Sequence, residues 1–185
     1  RMVGTQAAND EIPVELYVNG EYRGSYNLTA KVGFGNNSLD VSDTLVNAAL
    51  LELDTYFDEA NKFTTATTYY SLPVNIKEPE DFSEGFIQME IDDIKRRIIT
   101  GFLRDLKQGN GVEKHVHVQS MATFLMTNEL IANYELMHPK STYYFCRDIL
   151  NADSLIHFGP VWDLDWGYGF ERHSNYFHMS PIEDY

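Results

Sequence analysis

A single cysteine, Cys146, excludes an internal disulfide. That thiol lies in the aromatic run TYYFC, the setting of an inert core cysteine. Basic residues are scarce too: 14 Lys and Arg stand against 28 Asp and Glu, a formal net charge of -14. Such a balance would repel a phosphate backbone, which argues against nucleic acid as a partner. No apolar run is long enough to span a bilayer, and the opening RMVGTQAANDE is not a signal peptide. The chain starts abruptly, as an excised piece would, and a targeting segment would then lie upstream. Zinc spacing is missing as well. His115, His117 and His138 have no partner thiol, and with His173 and His178 they read as surface or capping residues. Repeats and low-complexity tracts are absent. What is present is a globular composition, 43% hydrophobic and 14% aromatic over 185 residues, enough for one domain with a real core.

The stretch HFGPVWDLDWGYGFE, His157 to Glu171, is where the chemistry concentrates. A β-rich run breaks at Gly159-Pro160, and Asp163 and Asp165 follow among Trp162, Leu164 and Trp166. Carboxylates are costly to bury unless they are paired or bound to a cation. Two of them just past a strand end can share a hard cation through oxygen ligands. In the alternative they cap the turns of a Gly-rich loop and the tryptophans are core. Aromatics beside an acidic loop would also suit a sugar-binding surface.

Taken in order, PVELYVNGEYRGSYNLTAKV alternates on either side of Asn19-Gly20 and predicts a hairpin, with Gly24 permitting a bulge. Lys31 follows its second strand; it could contact a phosphate or be an ordinary exposed strand lysine. Ala48 to Leu53 and Leu72 to Lys77 read as further strands, the first ending in Glu52 and Asp54, with Glu52 near the junction of two parts. Tyr56 to Tyr70 reads as a lid-like excursion. The period then becomes helical: Ile87, Ile91, Ile94, Ile98, Phe102 and Leu106 share one face, from an N-cap at Ser83 to a stop at Gly109. A second helix is expected over Val118 to Ile131, with Met121, Phe124, Leu125 and Met126 inside. NYELMHPKS, Asn133 to Ser141, cannot continue it past Pro139 and reads as a surface loop. Thr142 to Cys146 and Leu155 to Phe158 predict a second hairpin that delivers the chain to the acidic loop. The class is α+β, a single domain over 1–185 with a β-rich part to about residue 80 and a helical part after it.

VELYVNGEYRGSYNL resembles the NGxYxGxYxL hairpin of the spore-coat CotH kinase family, and GPVWDLDWGYG resembles its PWDxDxxxG segment. LLELDTYFDE and NELIANYELMHPKSTYYF are similar to variants in anaerobic gut bacteria. The resemblance covers essentially the whole chain. It implies an atypical protein-kinase-like fold, here N-terminally truncated relative to the strands expected upstream. It also implies Asp163 as the metal-binding aspartate, Asp165 as a second ligand, and Mg2+ (or Mn2+) with ATP as cofactors. Glu135 takes the position of the catalytic base, and Lys140 would neutralise phosphate where the family has an asparagine. Ala30 stands where the family carries an acidic residue, ahead of Lys31. Two functions follow from these matches and departures. One is Mg-ATP-dependent phosphotransfer to a coat or surface protein, outside the cytoplasm or at the cell surface. The other is a degenerate kinase-like module that binds protein or glycan in surface assembly.

Overall fold

The computed structural model describes residues 9–35, 38–39, 47–85, 87–137, 139–164 and 167. β1 (Glu11–Val18) and β2 (Glu21–Thr29) form the expected antiparallel hairpin. Asn19 and Gly20 take φ of 54° and 84°, the left-handed pair that a two-residue hairpin turn requires. Leu16 pairs with Gly24 but Tyr17 with Tyr22, so Arg23 is the extra residue of a bulge, and Gly24 beside it has φ 117°. The hairpin stands as a sheet of its own.

Five further strands make the main sheet, ordered β4-β5-β3-β6-β7 and antiparallel throughout. β3 (Ala49–Leu53) is central, and its near-continuous apolar run reflects burial on both faces. β5 (Pro73–Glu78) and β6 (Thr142–Cys146) flank it. The edges are β4 (Lys62–Thr64), which forms inside the expected lid-like excursion, and β7 (Ile156–Phe158). The β6–β7 hairpin, placed by sequence in the helical part, is hydrogen-bonded to β3, so strands from both parts build one sheet.

One face of this sheet carries the larger core. Ala49, Leu51, Val74, Ile76, Cys146 and Ile156 pack there against Ile94, Ile98 and Leu103 of the helix above. That helix is continuous: α1 (Ile91–Lys95), a π-helical stretch (Arg96–Leu103) and α2 (Arg104–Gln108). It begins later than the apolar spacing suggests. Glu90, not Ser83, is the N-cap, in a reciprocal box with Asp93. Gly109 ends it at φ 68°. The π-helical stretch also shifts the buried face: the sequence from Ile94 to Ile98 to Leu103 contains a step of five, so Leu103 is buried and Leu106 is 44% exposed.

α3 (Val118–Ile131) matches its expected span. Its inner residues do not all match. Phe124 is buried as expected, but Met126 is 68% exposed, because Asn128 and Ile131 complete the inner face. His117 is the N-cap, its Nδ1 accepting from the Ser120 amide at 3.2 Å, and His115 lies against the buried carboxylate of Asp105 at 2.7 Å. His138, His173 and His178 lie outside the described residues.

Candidate active site

The other face of the sheet is half apolar and half polar, and the register sets the division. Leu50, Tyr143 and Phe145 pack with Val32 and Leu39, and the partly buried Trp162 packs against this smaller core. Beside them runs a polar row. Glu52 is 7% exposed, paired in register with Asn75 on β5 and with Tyr143 on β6. Lys77 reaches Glu52 at 3.4 Å and bonds Glu59 as well. Burial works against the Lys77 charge, but the bond to Glu59 and the charge of Glu52 outweigh it, so its pKa lies above the ordinary lysine value. Burial, then the bond to Glu52, holds the Tyr143 phenol well above the usual tyrosine range; Asp54 and Asp163 act on it in the same direction.

The polar row continues into the segment from Asn133 to Ser141. The sequence reads this segment as a surface loop, but Asn133 and Glu135 are 4% and 1% exposed. The burial is possible because the polar groups bond one another. Ala132, at φ 50°, turns the chain out of α3. Asn133 Nδ2 then donates to Asn128 Oδ1 at 2.8 Å, and the Glu135 amide donates to Asn133 Oδ1 at 3.2 Å. Lys140 Nζ donates to Glu135 Oε1 at 3.3 Å. The bond and charge of Glu135 raise the Lys140 pKa; partial burial opposes them, and Asp163 and Asp54 add to the rise. Four charged groups from three separate stretches of the chain therefore act on one another: Asp54, Glu135 with Lys140, and Asp163.

Asp163 completes the group. Its carboxylate is exposed, its backbone is left-handed at φ 58°, and its Oδ2 accepts from Ser141 Oγ at 3.1 Å. Of the residues singled out by sequence, Asp163, Glu135 and Lys140 come together here. Lys31 does not: its exposed ammonium lies 3.5 Å from Glu80, beyond the end of β2. Asp165 and Trp166 lie outside the described residues. Four contributors, Glu52, Asp54, Lys77 and Ser141, were not assigned a role from sequence. A charged residue at the end of an apolar strand, as in ALLEL and PVNIK, is the signal that points to two of them.

Asp163 and the Ser141 hydroxyl offer hard oxygen donors. No group of three or more His, Cys, Asp or Glu able to hold a metal occurs among the described residues. Mg2+ needs no such cage, since it binds through one or two carboxylates and completes its octahedron with water and phosphate oxygens. The donors present fit a cation that arrives with phosphate.

The class defined by this fold and cluster is an α+β domain with a cluster of carboxylates and lysines on one face of its main sheet. A family model described as CotH kinase protein matches residues 4–184, and the chain belongs to that family, which is spore-coat associated and kinase-like. No curated protein and no solved structure matches it. Among the described residues no helix is long and apolar enough to cross a membrane.

Proposed function

We propose that this domain is an atypical protein kinase that transfers phosphate from Mg-ATP to a coat or surface protein, outside the cytoplasm or at the cell surface. The observation that carries the proposal is the convergence of Asp163, Glu135 and Lys140, through Ser141, on one acidic cluster. Asp163, with Asp165 as its neighbour in sequence, would hold Mg2+ or Mn2+. When bound, the cation neutralises phosphate charge and orients the γ-phosphoryl group. Lys140 supplies a second positive charge at the same place. Lys77, fixed on β5 by Glu52, is better placed than Lys31 to anchor a phosphate from the sheet. Glu135 is the carboxylate that would take the proton of the acceptor hydroxyl as its oxygen bonds to phosphorus and the bond to ADP breaks. Lys140 is one of its partners, and Lys140 turning towards phosphate would release that ion pair.

The degenerate reading, a module that binds protein or glycan without turnover, is favoured by one observation. Glu135 is 1% exposed and ion-paired, so an acceptor hydroxyl has no open path to it in this arrangement. Thermal melts of the wild type and Asp163→Asn with millimolar MgCl2 or MnCl2 test the cation site common to the first reading. Saturation at a hundredfold excess over Kd stabilises by about 2.7 kcal/mol, which the substitution is expected to remove. Equal shifts in both proteins would leave Asp163 as structure alone.

A further inference from the structure

We infer that Asp54 is a positioning residue: it fixes the Lys140–Ser141 corner and, through the Ser141 hydroxyl, orients Asp163 for a divalent cation. This rests on the reading of Asp163 as a cation ligand. Asp54 follows β3 directly and is 6% exposed. Its two oxygens have different work. Oδ1 accepts from the Tyr56 amide at 2.6 Å, which is local turn formation. Oδ2 accepts from the Ser141 amide at 3.1 Å, from a residue 87 positions away. A turn does not need that second bond. The Thr55 amide donates to Pro139 O at 3.0 Å, so the end of β3 grips the Pro139–Ser141 segment at two points.

The grip falls where the backbone needs support. Ser141 has φ 49°, a conformation that a non-glycine residue keeps only when its surroundings impose it. With its amide held by Asp54, Ser141 presents Oγ to Asp163 Oδ2 at 3.1 Å, while Lys140 beside it meets Glu135 at 3.3 Å. Asp163 is itself left-handed and exposed, and the Ser141 hydroxyl donates a hydrogen bond to its carboxylate. Asp54 therefore sets a carboxylate it does not touch, in the way that outer partners orient metal ligands.

The test measures Mn2+ binding, with the metal alone as probe, by the electron paramagnetic resonance signal of free Mn2+. The full chain is compared with Asp54→Asn, Ser141→Ala, their double variant and Asp163→Asn, each also melted without metal. Asp163→Asn is expected to abolish the tight site. Asp54→Asn and Ser141→Ala are each expected to raise Kd about tenfold, with the double variant no weaker than the weaker single one. Ser141→Ala keeps the amide bond to Asp54, so its melting temperature stays at the wild-type value and its Kd change reports orientation alone. If Asp54→Asn does not fold, Asp54→Glu replaces it; it keeps the acceptors but displaces them, and the same weakening is expected. Loss of binding in Asp163→Asn with a wild-type Kd in Ser141→Ala, or in the folded Asp54 variant, overturns this inference only. Wild-type binding by Asp163→Asn overturns the cation site itself.

Discussion

His157 shows how a single side chain can make the whole domain sensitive to acid. Its ring is stacked on His117, 4.5 Å away, and on Phe145, 4.8 Å away, and the Arg147 guanidinium lies over the Phe145 ring at 5.9 Å. Burial, then the charges of His117 and Arg147, pushes its pKa down to about 4 from 6.5. The folded state thus binds fewer protons than the unfolded state between those values. The associated stability is fully present above pH 6.5 and is lost as pH falls towards 4. The ring is only half-buried, so solvent screening leaves about 1 kcal/mol of the effect. His157→Phe should keep the stack and flatten the decline in melting temperature across that window relative to the wild type. Parallel curves for the two proteins would show that His157 is not the group responsible. At this scale the two readings of Lys31 divide, and its exposure accords with an ordinary surface lysine. Lys31 is exposed beside Glu80, whereas Lys77, at the charged end of an apolar strand, is partly buried and ion-paired with Glu52.

Elements were legible wherever one residue pattern determines one structure. Asn19-Gly20 specifies its turn, and ALLEL, PVNIK and TYYFC form buried or half-buried strands because no other element of that length hides such runs. Helical phase was less legible. A constant period of 3.6 places Leu106 inside, but the π-helical stretch adds a residue to one turn and buries Leu103 instead. Ile94→Ala should therefore lower stability by about 2–4 kcal/mol in chemical denaturation, the range for a buried aliphatic truncated to alanine. Leu106→Ala should change it by less than about 1 kcal/mol. Equal losses would mean that the straight helical face is the true one. The segment Asn133 to Ser141 illustrates a different limit. Its polar composition suggests solvent, and only the hydrogen bonds from Asn128 to Glu135 make the burial of Asn133 and Glu135 tolerable. Those bonds join residues that no periodicity connects.

At the scale of the whole molecule, the main sheet separates stability from chemistry. Helices cover one face with the larger apolar core, while the opposite face passes from the smaller core into the charged row that ends at Asp163. Five carboxylates, Glu52, Asp54, Glu59, Glu135 and Asp163, accompany two ammonium groups, Lys77 and Lys140. On a chain that already carries a net charge of -14, such a cluster repels a free polyphosphate. Under the proposed function, a nucleotide would enter only with its charge largely neutralised. Calorimetric titration with ATP measures that dependence directly, in Mg2+ and again in EDTA at matched ionic strength. The expected result is binding by the wild type in Mg2+, none in EDTA, and none by Asp163→Ala in either. Binding of equal strength with and without Mg2+, or binding that survives Asp163→Ala, would contradict the account.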